Sequence, residues 1–319
     1  MLTHSFSITQ KTMHRKSFVI LVALSFQNTA SVLLMKFTLR KDARPYDAAT
    51  AVAITEFIKL GVCILIVMLQ RSTDIPLGSS LSMGVHRKFG VPAILYAAQN
   101  NLVYVAAESL TVTSYVVCSQ GKIFATAFFS VLVLSTKLNA RHYISLILLA
   151  CGMVLTQLDV DTVVGSTYPS QHEFRGIVAI TLASVSSGFA GVYLEVLYKT
   201  DSESIWTKNV QLGAYAFPAT CMFAIASQFR NWNGKALSGF DSAVCVLLLL
   251  QAMGGLIIAG VMKYASSILK CFAVSISICL CALISALCGD ETSMLQLFGV
   301  LLVILSTILY SIQLHHDEI

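Results

Sequence analysis

Apolar runs of membrane-spanning length, recurring along the whole chain, constrain this sequence more than any other feature. A helix that crosses hydrocarbon needs about 20 residues at 1.5 Å each. Read against charged and Gly/Pro breaks, the runs number ten: about 18–39, 48–70, 89–109, 112–135, 141–158, 174–199, 205–228, 241–263, 267–288 and 293–313. Composition agrees, since 12% of the 319 residues are charged against about 25% in a soluble domain. The expected fold class is an all-α polytopic membrane protein with ten transmembrane helices.

The longest connection, 159–173, contains Asp159, Asp161, Pro169, His172 and Glu173 and reads as a solvated linker. It is expected to separate two five-helix halves, 1–165 and 166–319, which together would form one domain. Five is odd, so the second half crosses in the opposite sense, and related halves would form an inverted repeat. One pattern hints at kinship. Tyr115, Ser119, Lys122 and Thr126 share a helical face, and Lys263, Ser267, Lys270 and Val274 repeat that spacing 148 residues later. Chance combined with helix periodicity is the competing explanation.

Lys11, Arg15, Lys16, Arg71, Arg87, Lys88, Lys137, Arg141, Lys199, Lys208 and Lys263 fall on one side of the membrane. Six basic residues, Arg40, Lys41, Arg44, Arg175, Arg230 and Lys235, fall on the other. The positive-inside rule then places both termini in the cytosol. These scattered charges explain the formal +5 as a topology signal, and no nucleic-acid partner is expected.

All nine cysteines lie in apolar segments without zinc-site spacing, and read as small core residues. All seven histidines lie in the tails or near loops, so neither a metal site nor an intramembrane histidine base is expected. No cofactor is implied. SQGK around Lys122 lacks the upstream glycine and following Ser/Thr of a phosphate loop. Transport would therefore draw on a gradient or on exchange. The absent histidine and carboxylate pairs also argue against an enzyme.

Ionisable residues inside a span need a partner or a wet cavity, since each costs at least about 2.5–3.5 kcal/mol in hydrocarbon. Glu56 and Lys59 lie three apart on one face, which suits an ion pair as well as it suits a substrate contact. Lys36 and Glu108 sit near helix ends and can snorkel. Glu195 is also near an end, one turn after Gly191 and two turns after Gly188. Lys122 and Lys270 differ, having no acidic residue within four positions. An anionic substrate is the economical partner, with lysine serving phosphate as a compact charge carrying three donors. A glutamate elsewhere in the fold is the structural alternative. On the preceding helix Tyr96, Gln99 and Asn100 share a face; amides can read a nucleobase edge and tyrosine can stack on one.

Several stretches together resemble the nucleotide-sugar transporters of the CMP-sialic acid, UDP-galactose and UDP-N-acetylglucosamine group. They are YAAQNN at 96–101, the Tyr115–Lys122 segment, SGFAGVYLE at 187–195, Trp206 with Asn209 and Gln211, and MGGL followed by VMKYASSILK at 253–270. The resemblance runs from ThrGluPheIleLys at 55–59 to the last helix. It implies an inverted five-plus-five repeat around a central cavity. It also implies exchange of a cytosolic nucleotide sugar for a lumenal nucleoside monophosphate, a Golgi or endoplasmic reticulum membrane, and the option of a homodimer. Carried over by position, the nucleotide site it implies comprises Tyr96, Asn100, Tyr115, Lys122, Asn209, Gln211, Lys263, Ser267 and Lys270. Ser119 and Gly213 stand where CMP-sialic acid transporters usually carry tyrosine, which favours a UDP-sugar and suggests an opened sugar pocket.

Overall fold

The computed structural model describes residues 2–38, 46–70, 83–157, 171–200, 203–230, 239–288 and 293–317. Among these the chain forms helices only: α1 (Leu2–Thr38), α2 (Ala48–Gln70), α3 (Met83–Ser109), α4 (Val112–Ser119), α5 (Gly121–Leu134), α6 (Ala140–Gln157), α7 (Gln171–Thr200), α8 (Ile205–Arg230), α9 (Ser242–Tyr264), α10 (Ser267–Leu287) and α11 (Met294–Asp317).

Each expected apolar run lies within the described residues but for residues 39 and 158, with α4 and α5 forming one rod. The run expected at 112–135 as a continuous helix tightens at Gln120. There the Ser119 hydroxyl and the Gln120 side-chain amide both donate to the Val116 carbonyl, at 2.8 and 3.3 Å. The Gln120 N–H reaches Val117 O in a three-residue turn. Backbone angles at Gln120 stay helical (φ −69°, ψ −14°), so the rod continues without a bend being imposed there. The first helix begins at Leu2 rather than near 18, because helical hydrogen bonding continues beyond the apolar stretch where no Gly or Pro stops it. Most of the expected 159–173 linker lies outside the described residues; its last residues already belong to α7.

Eight of these rods are long and apolar enough to cross a membrane, which makes the chain a multi-pass membrane protein. The other two, α3 and α8, have 27 and 26 residues and each carries an interior proline, Pro92 and Pro218. They hold the amide-rich segments at 96–101 and 206–211. The helices least suited to lipid are therefore those bearing the predicted nucleotide-reading side chains.

The chain divides into two compact units, each drawing on both sequence halves. Unit 1 contains Met1–Ala97 and Leu194–Ser266. In it α2 packs on α8 and α9, and α1 on α9. Ala51, Val244 and Leu248 form a core there, flanked by Tyr46, Ile54, Ile58 and Phe240. Asp241 caps α9 by accepting from the Val244 N–H at 2.8 Å.

Unit 2 contains Ala98–Tyr193 and Ser267–Ile319. Its centre is the α6–α11 pair, where Leu149, Met153, Val300 and Val303 are buried together with Ile123, Phe272 and Tyr310. Glycine sets this spacing: a Cβ at Gly299 would sit 2.6 Å from the Thr156 nitrogen and 2.8 Å from the Gly152 carbonyl oxygen. Ser306 donates to the Ser145 carbonyl at 2.7 Å, tying the same two helices.

One composition-based expectation needs correction. Cys63, Cys279 and Cys281 are buried, but Cys151, Cys245 and Cys288 are exposed; in lipid an apolar thiol needs no core. His142 lies next to a loop as expected, in the first turn of α6, and is 2% exposed there. Its Nδ1 accepts from the Asn139 N–H at 3.1 Å and its ring lies 5.0 Å from that of Tyr310. A helix start leaves N–H groups unpaired, and here the imidazole nitrogen satisfies one of them.

Candidate functional site

In unit 2 the two singled-out lysines sit on α5 and α10, helices that contact each other. Lys122 and Lys270 are half-buried, and among the described residues neither ammonium has a carboxylate or hydrogen-bond partner. The Lys122 carbonyl accepts from Thr126 Oγ1 at 2.7 Å, an interaction internal to the helix.

One face of α7 braces both helices. Ser184, Gly188 and Gly191 recur at helical spacing. Ser184 lies against Gly121, next to Lys122. A Cβ at Gly188 would be 2.7 Å from the Thr126 nitrogen, so glycine alone lets α7 lie on the α5 backbone. A Cβ at Gly191 would be 3.5 Å from Lys270 Nζ and 3.8 Å from Ser267 Oγ. Lys270 therefore extends across Gly191, beside the fully buried Ser267. Tyr115 lies on α4 in an apolar cluster with Ala106, Ala179 and Ile180, so its ring packs on α3 and α7.

In unit 1 Glu56 and Lys59 make the ion pair their spacing suggested, at 2.6 Å, with 18% and 10% of their side chains exposed. Gly255 of α9 makes room for this lysine, because a Cβ there would lie 3.0 Å from Lys59 Cδ and 3.7 Å from Nζ. Tyr96 is half-buried. The Asn100, Asn101, Glu108 and Lys36 side chains lie outside the described residues.

The α8 amides are engaged within the protein. Asn209, 2% exposed, donates to the Ile205 carbonyl at 3.0 Å. Gln211, 1% exposed, donates to Glu203 Oε2 at 3.0 Å. Gly213 does not open a pocket as expected, since its Cβ position is met by Leu60 Cδ1 at 3.0 Å. Lys263 ends α9 with its ammonium 5.8 Å from the Tyr264 ring centroid.

Two residues are more deeply involved than the sequence suggested. Lys208, counted above as a topology charge, is fully buried. It donates to the Leu197 and Tyr198 carbonyls at 2.9 and 3.0 Å, satisfying groups that the end of α7 leaves free. Glu195 is 2% exposed and pairs with Lys199 at 2.7 Å. The i, i+4 spacing of that pair was available as a signal; the fold-back of α8 onto α7 was not.

A family-wide sequence profile described as nucleotide-sugar transporter matches residues 11–311 of this chain. The chain belongs to the nucleotide-sugar transporter family. Within that family it is 36% identical to a human UDP-N-acetylglucosamine transporter over 310 residues, covering 92% of this chain and 94% of that one. It is also 36% identical to a UDP-galactose transporter of Schizosaccharomyces pombe, covering 92% and 87%. The human UDP-galactose translocator is 33% identical, covering 95% of this transporter and 79% of the relative. A solved crystal structure with 11% identity superposes with a TM-score of 0.67, covering 95% of this chain and 99% of that one; at that identity it establishes a shared fold alone.

Proposed function

We propose that this family member carries a UDP-sugar, such as UDP-N-acetylglucosamine or UDP-galactose, across the membrane in exchange for a nucleoside monophosphate. The observation that carries this reading is the pair Lys122 and Lys270, two intramembrane cations without a described counter-ion on helices braced by one face of α7. A phosphate-bearing substrate supplies the missing charge. The relatives named for UDP-sugars, at 33–36% identity, supply the class.

In this reading Lys122, Lys270 and Ser267 hold phosphate; Lys263, which the resemblance also implied, is not assigned to it. Tyr96, Asn100, Tyr115, Asn209 and Gln211 address the nucleotide, the α8 amides by releasing their present partners. Nucleotide sugar and nucleotide share the anchored part, so either one stabilises the state that crosses, while an empty charged cavity crosses poorly. No covalent step is involved. Ten spans in an inverted five-plus-five arrangement, both ends of the span region cytosolic and residence in the Golgi membrane complete the proposal; a homodimer is compatible with it.

The test is uptake of a labelled panel of nucleotide sugars into liposomes containing the purified protein and preloaded with UMP or CMP. UDP-sugar uptake that requires internal UMP is expected. Uptake driven by CMP with CMP-sialic acid, or uptake of simple sugar phosphates with no nucleotide requirement, would overturn the proposal.

A further inference from the structure

At the end of α9 two cations share one aromatic ring. Lys16 Nζ lies 5.8 Å from the Tyr264 ring centroid, and Lys263 Nζ also lies 5.8 Å from it. Among the described residues no carboxylate pairs with either lysine. The main-chain acceptor they would otherwise compete for is occupied, because the Ser17 hydroxyl donates to the Tyr264 carbonyl and the Ala265 N–H closes on Val261 O at 2.8 Å. Exposed Arg15, next to Lys16 on α1, adds a third positive charge.

The position of this cluster identifies its partner. Arg15 begins one apolar span and Tyr264 ends another, so the lysines lie at the level of the interface, where tyrosine rings and basic side chains meet lipid headgroups. Within the same span α1 exposes the apolar side chains Phe18, Val19, Val22 and Phe26, between 38% and 68% exposed. Positive charge at the border of an exposed apolar span complements a molecule with an anionic head and acyl chains. Two ammonium groups, each with three donors, suit phosphate oxygens. The geometry points to a binding site for an anionic phospholipid where the end of α9 meets the start of the apolar span within α1, with Lys16 and Lys263 on the headgroup phosphate beside Tyr264. Basic notches between transmembrane helices recognise anionic headgroups in this way.

This site does not depend on which sugar the protein carries. It is tested by thermal unfolding of the purified full-length protein in neutral detergent, with short-chain phosphatidylserine, short-chain phosphatidylcholine, inorganic phosphate or UMP added. Phosphatidylserine is expected to raise Tm, with phosphatidylcholine and inorganic phosphate giving less than half of that rise. Lys16→Gln should lose most of the phosphatidylserine rise while keeping the response to UMP, and Lys16→Arg should retain both. An equal rise with phosphatidylcholine or inorganic phosphate, or an undiminished phosphatidylserine rise in Lys16→Gln, would overturn the lipid site. Loss of the UMP response in Lys16→Gln would assign the cations to the transport path and overturn it as well.

Discussion

Tyr198 holds the Lys208 ammonium twice, through its carbonyl at 3.0 Å and across its ring at 5.9 Å. The Leu197 carbonyl at 2.9 Å is a second main-chain acceptor. A cation at a helix C-terminus meets both unpaired carbonyls and the negative end of the helix dipole, which accounts for a lysine with no exposed surface. The bond ties α8, the helix carrying Asn209 and Gln211, to the end of α7. Removing the ammonium leaves two buried carbonyls short of a donor, at a cost of about 1–3 kcal/mol. Lys208→Met is therefore expected to lower Tm, with Lys208→Arg recovering part of the loss, in thermal unfolding of the detergent-purified protein. Equal Tm for Lys208→Met and the wild type would contradict this.

Close approach of α7 to α5 makes Gly188 intolerant of any side chain. A Cβ there falls 2.7 Å from the Thr126 nitrogen, and backbone cannot give way as a side-chain tip can. Overpacking of this kind costs about 1–3 kcal/mol. Gly61 is the built-in control, with nothing within 4 Å of its Cβ position. Gly61→Ala should match or slightly exceed the wild type, by up to about 1 kcal/mol of helix propensity, while Gly188→Ala loses stability and yield. Comparing the two Tm values separates packing from propensity.

How much of this was legible beforehand follows from the range of the forces involved. Helix positions were readable because hydrocarbon demands about 20 apolar residues per crossing, and the Glu56–Lys59 pair because three residues bring both to one face. Lys208 was misjudged because its partners, Leu197 and Tyr198, lie across a chain reversal that no local periodicity reports. His142 was placed near a loop correctly, yet its burial depends on Tyr310, far along the chain. The Gly213 pocket was expected from a missing ring, but Leu60, on another helix and far along the chain, meets the Cβ position. Asn209 and Gln211 were placed in the site by the family resemblance, which cannot reveal that Ile205 and Glu203 engage them.

The Glu56–Lys59 pair yields a double-mutant test. Both oxygens of Glu56 lie 2.6 Å from Lys59 Nζ, and Lys59 runs along Gly255. Stripping one member strands the other charge, which costs about 3–5 kcal/mol in a buried pair. Glu56→Gln and Lys59→Met should each lower Tm more than the double variant does. Additive losses, with the double variant the least stable, would mean that the two charges act independently.

Lys122 and Lys270 are expected to behave in the opposite way on stability, since neither has a described protein partner to strand. Lys122→Ala and Lys270→Ala should fold with near-wild-type Tm while weakening UMP binding. Charge-assisted hydrogen bonds contribute about 1.5–3 kcal/mol each, so a rise in Kd of at least about tenfold is expected by isothermal titration. Unchanged binding in both variants would remove phosphate from these residues.

Gly191 offers a graded test of Lys270 that leaves the lysine in place. An added methyl would lie 3.5 Å from Lys270 Nζ and 3.8 Å from Ser267 Oγ, an ordinary contact distance, so Gly191→Ala should fold and bind UMP nearly as the wild type does. A branched side chain needs the volume that the ammonium occupies. Gly191→Val should therefore displace Nζ from Ser267 and raise the Kd for UMP, with less effect on Tm than Gly188→Ala, because Lys270 is flexible and the Thr126 backbone is not. If Gly191→Val instead lost stability and kept UMP affinity, the glycine would serve helix packing alone and the position of Lys270 beside it would have no part in binding.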